Sequence, residues 1–214
     1  MQVEELWRYP VKSLRGETLQ EVEVLKTGIR GDREIVVVSE SRQRIVTSRT
    51  HHHLLGLQGG ISPQTQEATI NGHAWKSPEA RVLVEEAVGE KVQLEYIAGT
   101  ERFDVLPLLV ATDGAIAAMG VDRRRFRPNI FIGGVEGLAE RQWEGKQIRI
   151  GEVTIYAAQL RARCVMTTYD PDTLKQDRNV LFRIVKEFDG TMALDCSVVT
   201  PGKIRVGDPV TVVR

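Results

Sequence analysis

The chain has two cysteines in its 214 residues, and their surroundings differ. Cys196 lies in Met192-Ala193-Leu194-Asp195-Cys196-Ser197-Val198, where Met192, Leu194, Cys196 and Val198 alternate along one strand face. Core packing accounts for that thiol. Cys164 instead follows Arg161-Ala162-Arg163 and precedes Val165-Met166-Thr167-Thr168-Tyr169-Asp170-Pro171-Asp172-Thr173. A long alternating strand runs into it, and Asp-Pro-Asp-Thr behind it is turn chemistry. Cys164 therefore sits where a strand meets a loop, with cationic neighbours of the kind that favour thiolate, the form that attacks electrophiles or binds metal. Free cysteine is also among the most buried residue types, so position alone leaves a packed, inert thiol open. Arg161 and Arg163, two apart, share a strand face, and Cys164 points to the other face unless the strand has already broken.

A second concentration is Asp122-Arg123-Arg124-Arg125-Phe126-Arg127-Pro128-Asn129, with four arginines in five residues. Such runs are usually solvated faces. Here Phe126 and Pro128 interrupt the run and an apolar strand follows, so an arginine could be held rigidly enough to offer a bidentate fork to phosphate. Arg8-Tyr9-Pro10-Val11-Lys12-Ser13-Leu14, Gly31-Asp32-Arg33 and Thr47-Ser48-Arg49 each put cations or hydroxyls at a strand boundary. Singly these are ordinary loop residues; together they suit a phosphate or pterin pocket. His51-His52-His53 tempts as a metal site, but adjacent side chains on an extended backbone alternate in direction. They read as loop residues near the pocket rim.

The elements that must position these groups are mostly short alternating segments. Strands are expected over residues 3–8, 19–25, 34–39, 44–47, 91–97, 106–111, 129–132, 147–150, 153–160, 191–199 and 209–213. Asn71-Gly72 marks a hairpin. Ser77-Pro78 opens a helix that Gly89 closes, and Thr112 caps a second that Gly120 closes. A third helix is expected over 179–188 with Leu181, Phe182, Val185 and Phe188 on one face. Many strands with about three helices point to a mainly β (α+β) barrel or sandwich with helices outside.

Lysine plus arginine is 29 and aspartate plus glutamate is 29, so the formal net charge is zero. That balance argues against a general nucleic-acid or membrane-surface binder. No run reaches the roughly 18 apolar residues of a bilayer span, and the acidic N-terminus lacks signal-peptide character. The reading is a soluble, cytoplasmic protein with reduced thiols.

In order along the chain, these elements resemble the MOSC family, the domain shared by molybdenum cofactor sulfurases and amidoxime-reducing molybdenum enzymes. The resemblance rests on Tyr9-Pro10-Val11-Lys12-Ser13-Leu14, Phe126-Arg127-Pro128-Asn129-Ile130, Arg163-Cys164 with Thr167 to Thr173, and Gly202-Lys203-Ile204-Arg205-Val206-Gly207-Asp208-Pro209-Val210. It implies a MOSC N-terminal β-barrel-like region over 1–95 and a β-barrel MOSC core over 96–214. It implies a bound molybdenum cofactor (Mo-molybdopterin) with Cys164 as metal ligand. Lys12, Ser13, Arg33, Arg127, Asn129 and Arg163 would hold the pterin and its phosphate, with Thr47, Ser48 and Arg49 at the pocket edge. Thr112 and Asp113 fall where the family places a further hydroxyl–acid pair, and Asp172 would order the loop beside the metal. The implied reaction is reduction of a small N-hydroxylated substrate, with electrons from a separate flavin, iron–sulfur or haem protein. No membrane anchor and no C-terminal iron–sulfur extension are expected. Ala162 departs from the serine that family reductases often carry before the arginine–cysteine pair. Two other classes stay open: a sulfur-transfer or cofactor-carrier protein with Cys164 as persulfide, and a non-catalytic binding module.

Overall fold

A computed structural model describes residues 1–213. Its main element is an eight-stranded sheet in the order Val210–Val213, Gln147–Ile150, Val153–Ala162, Thr191–Thr200, Leu108–Thr112, Ile130–Gly133, Gln2–Arg8, Glu17–Leu19. All neighbours are antiparallel except Leu108–Thr112 against Ile130–Gly133. Those two strands are joined through the short helix over Asp113–Met119, as a parallel pair requires a crossover. The inward residues are the alternating apolar positions, Val3 and Leu6, Ile130 and Ile132, Ile148 and Ile150, Val153, Ile155 and Ala157. Burying each large aliphatic side chain contributes about 1.5–3 kcal/mol.

The expected closed barrel is corrected to an open sheet. Its outermost strands, Glu17–Leu19 and Val210–Val213, do not pair with each other. Gln2 meets Pro209 in a lone bridge, and Pro209 has no N–H with which to extend a ladder. The expected single strand over 19–25 is also two. Glu17–Leu19 pairs with Gln2–Arg8, and after Gln20 the chain changes sheets, so that Glu21–Leu25 pairs with Gly202–Arg205.

Two three-stranded sheets and α1 (Pro78–Val88) enclose a second core built on Val11, Leu14, Ile35, Val37, Ile70, Val84 and Val92. One sheet is Val92–Tyr96, Ile35–Ser39, Arg44–Val46; the other is Gly59–Ile61, Ala68–Ile70, His73–Ala74, with its hairpin at Asn71-Gly72. Ser77 Oγ accepts from the Ala80 N–H and Gly89 takes the left-handed C-cap, as the sequence pattern requires.

α2 (Asp113–Met119) and α3 (Arg178–Glu187) pack with Phe126 in a third cluster. The buried face of α3 is Val180 and Ile184, followed by Phe188, whereas Phe182 and Val185 are exposed. The expected face is thus rotated. The helix carries two apolar stripes, and the one that meets Ala115, Met119 and Phe126 is the one buried.

Between the two larger cores, Arg102 is the bulkiest fully buried side chain. Its guanidinium donates to four main-chain carbonyls, those of Asp32, Thr27, Ala98 and Gly99. It thereby pins the segment over residues 97–107 to the Gly28–Asp32 turn. Arg102→Met leaves these carbonyls without their donor, and each unsatisfied buried group is costly. Urea unfolding is expected to show a loss of about 3 kcal/mol; a change within experimental error would mean the carbonyls find other partners.

Candidate functional site

Tyr9 directly follows the first strand, Gln2–Arg8, and is almost fully buried. Arg127 lies over its ring at 4.3 Å and Arg33 at 4.7 Å, so two guanidiniums clamp one phenol. The phenol donates to the Pro128 carbonyl at 3.1 Å, and the Tyr9 N–H donates to Asp32 Oδ1 at 2.8 Å. Burial pushes the Tyr9 hydroxyl up to about 12, against the opposing charges of Arg127 and Arg33. Asp32, fully buried, pairs with Arg33.

Ser13, Arg33 and Arg127 all adopt positive φ, at 75°, 56° and 56°. Non-glycine residues in that region cost about 1–3 kcal/mol each where bulk or context strains them, and they gather at functional sites. Here main-chain bonds hold the conformation: Arg33 N–H to Tyr9 O at 2.7 Å, and Arg127 N–H to Arg124 O at 3.2 Å. Asn129 is a joint between strands. Its Oδ1 accepts from Arg33 and from the Leu109 N–H, both at 3.2 Å, and its Nδ2 donates to Trp7 O at 3.3 Å.

The Val153–Ala162 strand stops at Ala162, and Cys164 caps a short 3-10 turn over Val165–Thr168. Strand alternation has therefore ended before Cys164, and Arg161, Arg163 and Cys164 all line one cleft. Thr167 closes the turn by donating both its N–H and its hydroxyl to Cys164 O. Asp170 Oδ1 then accepts from Asp172 N, Thr173 N and the Thr173 hydroxyl, which is the turn that Asp-Pro-Asp-Thr predicts.

Nine of the thirteen residues singled out in the sequence line this cleft: Lys12, Ser13, Arg33, Thr47, Arg49, Arg127, Asn129, Arg163 and Cys164. Four do not. Ser48 is buried with its hydroxyl on Met166 Sδ at 3.4 Å. Thr112 accepts from Ala115 N to cap α2 and donates to Glu140, whose carboxyl burial pushes up. Asp113 accepts from the N–H groups of Gly114, Gly134 and Val135 and so ties the start of α2 to the loop after Ile130–Gly133. The passage is tight there, since a Cβ on Gly114 would lie 2.3 Å from Gly137 O. Asp172 pairs bidentately with Arg124 on the exposed side of the loop, at 2.6 and 2.9 Å. His52 stacks on Tyr169 at 4.8 Å, and no group of three or more metal-ligating side chains of the His, Cys, Asp and Glu types gathers among the described residues.

Four further charged groups line the cleft: Arg125 and Arg161, which the sequence flags as cations without a site role, and Asp104 and Asp195, which the sequence reading missed. Asp195 alternates with Cys196 on its strand, and that parity was the available signal. Asp104 sits in an irregular segment that carries no periodicity. Seven lining residues are basic and two are acidic, in a chain of zero net charge. Burial pushes the guanidiniums of Arg127 and Arg163 down to about 10 each. Arg163 donates to Phe126 O at 2.8 Å, but its Nε is buried with no acceptor in reach. Burial pushes the Asp195 carboxyl up, with the Arg161 charge opposing.

A MOSC N-terminal beta barrel domain matches residues 1–101, and a MOSC domain matches residues 109–211. The chain belongs to the MOSC family. The family's relatives include mitochondrial amidoxime reducing component 2 of Macaca fascicularis, 23% identical with 97% of this chain and 82% of that protein covered. Mitochondrial amidoxime-reducing component 1 of Homo sapiens is 24% identical over the same shares, 97% and 82%. Among solved structures, the YUAD protein of Bacillus subtilis has a TM-score of 0.54 at 14% identity, with 99% of this chain and 94% of that chain covered. That likeness concerns the fold alone. No helix among the described residues is long and apolar enough to cross a membrane.

Asp104 provides a pH test of the cleft's electrostatics. Burial alone would raise its carboxyl, but the Lys12 hydrogen bond and the charges of Lys12, Arg49 and Arg161 hold it below its ordinary value of 3.8. A depressed carboxyl contributes stability above its unfolded-state pKa and loses it as pH falls through the folded value. Wild type is therefore expected to exceed Asp104→Asn by about 1 kcal/mol, a modest figure because the pair is partly solvated. Urea midpoints against pH should show this gap constant at neutral pH and closing below pH 3.8; a gap independent of pH would contradict it.

Proposed function

We propose that this chain binds a molybdenum-pterin cofactor in the basic cleft and uses it to reduce small N-hydroxylated compounds. Membership of the MOSC family and relatives named for amidoxime reduction support a molybdenum-cofactor-related function. The observation that carries the reading is one thiol, Cys164, in a cleft with seven cations, one of which holds a buried donor with no acceptor. A soft thiolate suits molybdenum, and fixed guanidinium forks suit a phosphate and the polar edges of a pterin.

In this reading Cys164 is the metal ligand. Arg163, next in sequence, directs its free Nε–H at the ligand, while Arg33 and Arg127 are held by Tyr9 and present their remaining N–H groups to it. Lys12, Ser13, Thr47 and Arg49 serve the opposite wall, and Asn129 holds Arg33 in place. Ser48 would steady Met166 in the cleft wall, and Thr112 and Asp113 would hold the start of α2 rather than touch the cofactor. Asp172, through Arg124, braces the loop that follows Cys164. When bound, the cofactor supplies the two-electron chemistry, and the protein supplies binding, orientation and an open approach.

Cleavage of an N–O bond in an N-hydroxylated substrate takes up two electrons and two protons and releases water. The electrons come from a separate donor protein of flavin, iron–sulfur or haem type. An apolar depression adjoins the cleft and shares Arg125, Arg127 and Met166 with it. Trp7, Tyr9, Leu55, Tyr169 and Pro171 give it apolar walls, Arg15, Arg124 and Gln58 give it polar ones, and it would take the organic part of the substrate.

The test is elemental analysis for molybdenum, with fluorescence of the released oxidised pterin, on protein from a cofactor-competent host. Wild type is expected to carry both, and Cys164→Ala to lose at least about nine-tenths of its metal, together with reduction of an amidoxime by a chemical electron donor. Wild type carrying neither metal nor pterin would overturn the reading. Sulfane sulfur on Cys164 without metal would identify a sulfur carrier instead.

A further inference from the structure

Of the two carboxylates in the cleft, Asp195 is buried within its strand and committed to Arg161 at 3.0 Å. Asp104 is different. Its carboxylate is about one-third exposed and receives cations from three separate segments: Lys12 Nζ at 2.8 Å, Arg49 at 2.6 Å and Arg161 at 3.6 Å. Lys12 and Arg49 have no other carboxylate partner among the described residues. Three cations around one small anionic head match the three terminal oxygens of a phosphoryl group, which offers more charge and more acceptors than a carboxylate.

The arm that carries Asp104 is short and irregular, running from Phe103 to Pro107 before the Leu108–Thr112 strand. It is anchored at one end by the buried Arg102 and at the other by the sheet. Lys12 Nζ also donates to the Arg102 carbonyl at 2.6 Å, so the lysine stays in place whether or not Asp104 does. The arm lies in residues 102–108, between the two stretches that match the family's domains. Nothing but these cations holds the Asp104 carboxylate, for its side chain has no other hydrogen bond.

We propose that Lys12, Arg49 and Arg161 form a seat for a phosphate monoester dianion, and that Asp104 is a built-in competitor which must swing out before the ester enters. A carboxylate that fills the seat most of the time lowers apparent affinity by the fraction of time the seat is open. It also keeps three clustered cations compensated in the empty protein and rejects weak anions, which cannot displace a tethered one. That the ester belongs to the cofactor rests on the function proposed above; the seat and its competitor do not.

The test is calorimetric titration of the full chain, made in a host without the cofactor, with inorganic phosphate and with phenyl phosphate. Asp104→Asn is expected to bind both at least about tenfold more tightly than wild type, and adding Lys12→Gln should abolish the gain. A folded Asp104→Asn that binds no more tightly than wild type overturns the proposal. Should that variant not fold, crystals of wild type with phenyl phosphate decide. Phosphorus within contact of Lys12 and Arg49, with Asp104 displaced, supports it; Asp104 still paired to both overturns it. A preference for the ester points to a bound cofactor phosphate, equal affinity to free phosphate, and either outcome supports the seat. Tight phosphate binding by Asp104→Asn in a chain that never acquires molybdenum would leave the seat standing and remove the cofactor reading, and the converse holds equally.

Discussion

The clamp of Arg33 and Arg127 on Tyr9 is the interaction on which the cleft depends. Each residue comes from a different segment, and the two arginines lie 24 and 118 positions from Tyr9 in the chain. The phenol ring gives both guanidiniums a common surface, and its hydroxyl reaches the carbonyl of Pro128 beside Arg127. Without a shared aromatic face, two half-buried guanidiniums would separate to reach water. Held as they are, they keep two strand ends in register and accept strained backbone as a consequence.

Concentrating seven cations in one place carries an electrostatic cost. The protein offsets it with a few well-placed carboxylates. Asp32 pairs with Arg33 from beneath, Asp195 holds Arg161, Asp170 holds Arg125, and Asp104 bridges Lys12, Arg49 and Arg161. The compensation is incomplete. Burial depresses Arg127 and Arg163, and one donor of Arg163 remains without an acceptor. A site preorganised in this way stabilises an incoming anion without having to rearrange its own dipoles and charges. The zero net charge of the chain hides this asymmetry, because most of its acidic residues lie outside the cleft.

Local signals in the sequence were accurate wherever one residue type has one physical use. Ser77 and Gly89 bound α1, Thr112 and Gly120 bound α2, and Asn71-Gly72 turns a hairpin. Signals that depend on a partner were less so. The buried face of α3 is not legible in its sequence, because Phe182 and Val185 are as apolar as Val180 and Ile184, and only the position of Phe126 and Met119 decides which pair is covered. The single strand expected over 19–25 contains a change of sheet at Gln20, which no periodicity marks. Whether the sheet closes depends on its edge strands Glu17–Leu19 and Val210–Val213 meeting, and these come from opposite ends of the chain.

The sequence by itself determined the family and the residues on which a site could be built: a cysteine leaving a strand among arginines, turn residues behind it, and short motifs in family order. These are local facts, since cap, turn and motif geometry is set within a few residues. Only the tertiary structure decided that Arg161, Arg163 and Cys164 share a cleft, because the strand ends at Ala162 and alternation stops with it. It alone placed Asp104 among Lys12, Arg49 and Arg161, and set Thr112, Asp113 and Asp172 outside the cleft. Long-range ion pairs are set by how sheets and arms pack, and a linear sequence records the charges but not the distances between them.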